Sequence, residues 1–254
     1  CCGRVFNSIM SDNKIPTSIM SEIIDGDLVN VNLDLSKAKQ QELQVSITWI
    51  PKSLFVELCL PIWTPGSYKV RDHAQYLYKI TLDQSGKKIN LKRIETSIWK
   101  AKLENLDTLT LNYTIQANQL TVRTSYLNTD FASICLSTVI ILINGFRNKQ
   151  YNPRLILRTN WVAYIPLTSV GDCFHAKNYD ELLDAPIIAG ELSPQIFYVN
   201  NIRHNLLCLG SPPQGWPTSL LKDISLICEC ESRLFKEDPP SGSKYLLVIQ
   251  MLEN

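Results

Sequence analysis

The chain has 254 residues, 45% of them hydrophobic and 19% charged, enough to build a large buried core without covalent staples. Lys and Arg number 25 against 24 Asp and Glu, and the formal net charge of +1 excludes a bulk field that would recruit nucleic acid or anionic lipid. Eight cysteines fall short of a disulfide scaffold, and three histidines (His73, His175, His204) limit imidazole chemistry.

Residues 1–27 form an unplaced segment. Val5 to Met20 is broken by Asn7, Asp12, Lys14 and Pro16, so it lacks the roughly 7–15 continuous apolar residues of a secretory signal. Period-two alternation then takes over. Val45, Ile47 and Trp49 face one way with Ser46 and Thr48 opposite, and Leu109, Leu111, Tyr113, Ile115 and Ala117 repeat the pattern. Ser53–Leu60 is predicted as a strand, and Tyr78–Leu82 with Lys88–Ile94 as a hairpin about Gln84-Ser85-Gly86. Ala132–Ile143 is the most apolar stretch; it has about a dozen residues where a membrane span needs about 20, and reads as a buried strand. Leu155–Leu157 is a further strand, and no helical period of useful length occurs between Leu28 and Pro166.

The character changes after Trp161. A loop through Gly171 leads to a helical turn over Asn178–Leu183, then to strands Gln195–Val199 and His204–Leu209 about Asn200-Asn201. The Pro/Gly-rich run Gly210–Pro217 is a break. A helix over Leu220–Phe235 follows, with Leu220, Ile224, Ile227, Cys228, Leu234 and Phe235 on one face. Lys244–Met251 reads as a buried strand so close to Asn254 that a longer protein is expected. The expected fold is mainly β: an antiparallel sandwich over 28–172, then over 173–254 the incomplete start of an α/β domain.

Common catalytic motifs are missing: there is no His-Glu-x-x-His, no Gly-x-Ser-x-Gly and no Walker-type loop. Four constellations remain. His204, Cys208, Cys228 and Cys230 offer zinc-ligand chemistry, but residues four apart on a strand are separated by about 13 Å and residues two apart on a helix diverge by about 200°. Packing thiols are the favoured reading. Cys173 and His175 lack an orienting acid or amide for nucleophilic catalysis. Asp180, Glu181, Asp184 and Glu191 lack calcium-loop spacing and read as solvated loop charges. Leu60–Tyr68, with Pro61, Pro65 and Gly66 around Trp63, is a rigid turned loop in which Trp63 can act as a plug.

Leu60-Pro61-Ile62-Trp63-Thr64-Pro65-Gly66-Ser67-Tyr68, followed by Arg71-Asp72, resembles the hallmark of the N-terminal domain of the glycyl aminopeptidase family, gluzincin zinc metallopeptidases that carry a PDZ domain. Ile98-Trp99-Lys100 and Leu111-Asn112-Tyr113 follow in the family's order. Tyr179-Asp180-Glu181-Leu182-Leu183-Asp184-Ala185-Pro186-Ile187 with Gly190 resembles its segment at the domain junction. His204 with Gly210, Arg233-Leu234-Phe235, Pro239-Pro240 and Tyr245-Leu246 complete a likeness from about Leu28 to Asn254.

The resemblance marks Trp63, Pro65, Gly66, Ser67, Tyr68, Asp180, Asp184, Pro186 and Gly190 as structural motif residues. It also implies a thermolysin-like catalytic domain whose Gly-Gly-x-Glu and His-Glu-x-x-His motifs lie beyond Asn254. Accordingly no catalytic residue and no metal ligand is assigned in this chain. Zinc and a peptide substrate are expected only in a complete member, and Leu252-Glu253-Asn254 receives no role. The expectation is an inactive N-terminal fragment, cytoplasmic, with no nucleic acid or membrane partner. The rival is a stand-alone β-sandwich interaction module without catalysis.

Overall fold

The computed structural model describes residues 27–63, 69–121, 123–210, 212–238 and 244–251. Its strands in chain order are β1 (Leu28–Asp34), β2 (Glu42–Trp49), β3 (Phe55–Cys59), β4 (Leu77–Gln84), β5 (Lys87–Ile89), β6 (Lys92–Glu95) and β7 (Ile98–Lys102). They continue with β8 (Leu109–Gln116), β9 (Tyr126–Leu127), β10 (Phe131–Ile134), β11 (Leu142–Ile143), β12 (Gln150–Ile156), β13 (Val162–Tyr164), β14 (Thr168–Val170) and β15 (Cys173–His175). Helix α1 (Tyr179–Leu183), β16 (Ile187–Gly190), β17 (Gln195–Val199), β18 (Ile202–Leu209), α2 (Leu220–Phe235) and β19 (Lys244–Gln250) complete the order.

Alternation makes the first layer. The eight-stranded sheet β14-β15-β12-β1-β2-β8-β4-β5 turns Val29, Val31, Leu33, Val45, Ile47, Trp49, Leu109, Leu111 and Tyr113 inward. Asn30, Asn32, Ser46, Thr48, Thr110 and Asn112 occupy the intervening positions, which a sheet with one wet face requires. Two four-stranded sheets, β11-β3-β7-β6 and β13-β16-β10-β9, form the facing layer. Their Val56, Leu58, Trp99, Ile134, Ile187 and Ala189 belong to the same continuous apolar core as the large sheet. The mainly β sandwich is as expected. Beyond it, β18-α2-β19 is a parallel βαβ unit, extended by β17 into a three-stranded sheet.

Three local expectations are corrected. Lys88–Ile94 is not one strand: β5 pairs with β4 in the large sheet, whereas β6 pairs with β7 in the opposite layer. All four β6 side chains are exposed, so its sequence carries no inward face to read. Ala132–Ile143 is likewise broken, into β10, a 3₁₀ turn over Leu136–Thr138, and β11. The Cys135 carbonyl accepts from both the Thr138 amide (3.0 Å) and its Oγ1 (2.8 Å), which turns the chain out of the ladder. On α2, Leu220, Ile224 and Cys228 pack on the sheet with Leu221, but Leu234 and Phe235 stay 76% and 69% exposed and Ile227 is exposed too. At about 100° per residue Ile227 and Leu234 sit on the flank of the packed stripe, so the expected apolar face is only partly covered.

The run from Leu136 to Ile141 is buried without strand partners, and side chains supply its missing bonds. The Tyr113 hydroxyl donates to the Val139 carbonyl (2.8 Å) and lies 3.3 Å from the Ile141 amide; the Tyr179 hydroxyl donates to the Ile140 carbonyl (2.7 Å). Burial pushes both phenols well above the ordinary tyrosine range, so they remain protonated donors. Gly190, at the end of β16, is fixed by close approach rather than by φ. A Cβ there would lie 2.8 Å from the Asp130 carbonyl oxygen, 3.2 Å from Leu192 Cγ and 3.3 Å from Phe131 Cα.

Two outcomes are expected in urea unfolding. Tyr179→Phe leaves the Ile140 carbonyl buried without a donor and should cost ~1–3 kcal/mol at unchanged slope; an unchanged midpoint would show that the hydroxyl is dispensable. Gly190→Ala must push β16 away from the turn before β10 and should cost ~1–3 kcal/mol, whereas a neutral result would mean that the two segments separate freely.

Candidate functional site

The Leu60–Tyr68 loop and the carboxylate groups meet different fates in the fold. Trp63 is 53% exposed and does not plug the core, because it and Ile62 lie on the outer side of the chain leaving β3. Pro65, Gly66, Ser67 and Tyr68 lie outside the described residues. Arg71 follows, its amide donating to the Ile62 carbonyl (2.8 Å) and so closing the base of the loop. Next to it His73 is buried; loss of solvent and the Arg71 charge lower its pKa.

Asp180 and Asp184 belong to α1 and its end. Asn178 caps the helix by accepting from the Glu181 amide (2.8 Å), and Arg147 grips Asp180 with two bonds of 3.0 and 2.8 Å. Asp184 is the C-cap; its amide donates to the Asp180 carbonyl. Pro186 then leads the chain into β16, whose four residues are all buried and end at Gly190. Asp180 and Glu181 are thereby occupied in holding α1, the latter accepting from the Lys177 amide.

The metal and nucleophile constellations do not assemble. His204 is stacked against Phe197 at 4.9 Å and meets the tilted ring of Tyr245 at 5.2 Å, with Nδ1 3.0 Å from the Ile202 carbonyl, where it donates. Cys208 and Cys228 are half-buried between sheet and α2, and desolvation pushes both thiols up in pKa. His175 turns Nδ1 toward Asn152 Oδ1 (2.9 Å), and Cys173 Sγ reaches the Phe174 carbonyl. Among the described residues no group of three or more His, Cys, Asp and Glu is placed to hold a metal ion.

A cleft of about 440 Å³ forms at the junction of the sandwich and the βαβ unit. One wall is the turn Thr129-Asp130-Phe131, the other the ends of β16 and β18, with Glu191, Leu192, Leu209 and Gly210, and Trp161 closes it. The turn is pinned by Asn128, whose Oδ1 accepts from the amides of both Asp130 and Phe131 at 2.9 Å. Arg158 donates to the Thr129 carbonyl (2.6 Å) and lies 5.4 Å from the Trp161 ring centroid, joining two walls. The Met251 amide donates to the Leu209 carbonyl (2.9 Å), so the cleft lies by the carboxyl ends of the parallel strands β18 and β19, where α/β sheets bind ligands. Asp130 and Glu191 line the cleft together with the Trp161 indole. None of the lining groups is a base paired with a nucleophile.

Nothing in the sequence marks Asp130 or Trp161, and the sequence reads Glu191 only as a loop charge. They come from three separate connections that the pairing of β10 and β13 with β16 in one sheet brings together, and no spacing between them carries a signal.

The sequence profile of the peptidase M61 N-terminal domain matches residues 30–191. No curated protein matches the chain. Among solved structures, the aminopeptidase N family protein from Idiomarina loihiensis superposes with a TM-score of 0.79 at 24% identity, over 87% of this chain and 39% of its own. The M1 zinc metallopeptidase from Deinococcus radiodurans gives 0.51 at 10% identity, over 90% of this chain and 57% of its own. A mutant of that enzyme bound to a Tyr-Ser-Ala substrate gives 0.52, also at 10% identity and over the same shares. These likenesses establish the shared fold, and this chain spans between 39% and 57% of the length of those structures. The chain belongs to the peptidase M61 N-terminal domain family.

Proposed function

We propose that the chain is the N-terminal portion of a glycyl-aminopeptidase-like zinc metallopeptidase, one that in complete form releases N-terminal residues from peptides. The observation that carries this reading is the direct passage from a family-matched sandwich into a parallel βαβ unit, with a cleft at the carboxyl ends of its strands. In the complete enzyme the sandwich walls the cleft. Asp130 and Glu191 attract the ammonium group of an incoming peptide, and Trp161 supplies an apolar surface for its first side chain.

The water-activating chemistry belongs to zinc held by a His-Glu-x-x-His helix, a motif the sequence does not contain. By itself the chain is therefore inactive in this reading. None of the described cysteines is in a disulfide, which supports a reducing compartment, the cytoplasm. No described helix is long and apolar enough to cross a membrane.

Metal analysis and a glycyl-anilide assay of the purified chain test the proposal. The expected result is zinc far below one ion per chain and no amine release above buffer. Adding a separately produced polypeptide that carries the His-Glu-x-x-His part should restore turnover, and Asp130→Asn with Glu191→Gln should then raise KM more than it lowers kcat. Stoichiometric zinc with turnover by the chain alone overturns the inactive-fragment reading.

A further inference from the structure

A second groove, of about 530 Å³, opens where the end of β2, the loop into β3 and the turn after β11 meet. Pro51, Phe55, Val56, Ile143 and Phe146 give it apolar walls. Phe55 is 71% exposed, so one wall is an aromatic ring that the described residues leave uncovered. The backbone gives the groove a direction. Strand β11 pairs with β3 only at Leu58 and Cys59. The Asn144 amide adds one bond to the Glu57 carbonyl (2.9 Å), and Gly145, at φ +86°, then turns the chain away. Along Phe55 and Val56, β3 is paired with β7 on one side and faces the groove on the other. An extended segment placed there has both apolar walls and a strand edge to lie on.

The chain itself leads to this groove. Asp27, the first described residue, is held through its carboxylate by Lys52 and by Lys149, the latter at 2.9 Å. Lys52 lines the groove, and its ammonium group is 5.8 Å from the Phe146 ring centroid. Strand register explains the placement. Asn30 pairs with Thr48 and Leu28 with Gln150, which sets the start of β1 beside the end of β2 and the start of β12, the segments next to the groove. Whatever precedes Asp27 therefore leaves the sandwich at the rim. Those residues lie outside the described ones, and their sequence reads Ile19-Met20-Ser21-Glu22-Ile23-Ile24-Asp25-Gly26. Four large apolar side chains thus stand three to eight residues before Asp27. At ~3.3 Å per extended residue, Ile24 and Ile23 reach about 10–13 Å from it. A tether this short gives an effective concentration of about millimolar, so a weak apolar contact suffices.

We propose that the groove is the docking site of this chain's own segment Ile19–Ile24, with Ile23 and Ile24 against Phe55 and Phe146. Apolar contact and the tether carry the docking. The rim lysines Lys52 and Lys100 are engaged by Asp27 and Glu57 and take no part beyond anchoring the tether. Docking fastens the leading end of β1, in the large sheet, to β3 and the turn after β11 in the facing layer. The groove shares no residue with the junction cleft, and its occupant is independent of the peptidase reading.

The test uses the full chain with labelled isoleucine methyl groups, followed by NMR. Ile23→Val and Ile24→Val identify the two signals. Both should be shifted by aromatic rings and show through-space contacts to the ring protons of Phe55 and Phe146. Phe55→Ser changes an exposed side chain and should abolish those contacts and return both signals to open-chain positions, while the core signals of Ile47 and Ile115 stay in place. If Phe55→Ser disturbs the core signals, the contacts in the unaltered chain decide the question alone. Open-chain positions for Ile23 and Ile24 in the unaltered chain, or contacts that survive Phe55→Ser with the core intact, would overturn the proposal. Contacts found only between labelled and unlabelled chains would seat a second copy's segment in the groove and overturn it as well.

Discussion

Between Leu136 and Ile141 the backbone crosses the interior outside any strand ladder, and its carbonyl groups must find donors there. Tyr113 reaches them from the large sheet and Tyr179 from α1, on the consecutive carbonyls of Val139 and Ile140. The two phenols thus fasten three things at once: the large sheet, the irregular segment of the facing layer, and the helix that leads into β16. Loss of either donor leaves a buried carbonyl without its partner and removes one of the contacts that place α1, beside the Arg147–Asp180 pair. The motif around Tyr179 acquires a mechanical meaning. Tyr179 anchors, Asp180 is held by Arg147, and Gly190 lets β16 approach the turn at Asp130.

The sandwich was legible wherever one face of a strand is wet. Val45-Ile47-Trp49 and the Leu109–Ala117 run alternate because Ser46, Thr48, Thr110 and Asn112 meet solvent on the other side. The same rule explains the failures. Leu136–Ile141 is buried all round, so its apolar letters carry no period and cannot distinguish a strand from a folded loop. Lys92–Glu95 is exposed all round and is equally silent. On α2 the period was right, but which part of the stripe is covered depends on the sheet beneath it, and that is a tertiary fact.

The junction cleft was not legible for a different reason. Asp130, Trp161 and Glu191 each sit in a connection, and only the pairing of β10 and β13 with β16 brings those connections together. The family resemblance pointed to Gly190, one residue from Glu191, as a structural position. The structure adds the reason: the close approach of Gly190 to Asp130 sets how far apart the two cleft walls stand.

One feature of the topology also governs how the chain reaches this state. Strand β1 lies between β2, its neighbour in sequence, and β12, with Leu28 opposite Gln150 and Asp34 opposite Ile156. A hairpin of β1 and β2 can form early, yet one edge of β1 stays bare until a partner more than a hundred residues later is available. During synthesis the first strand therefore emerges long before its parallel mate and must persist with unpaired amides and carbonyls. Closure of the large sheet is a long-range, entropically demanding event, and the assembly of this domain is correspondingly slow.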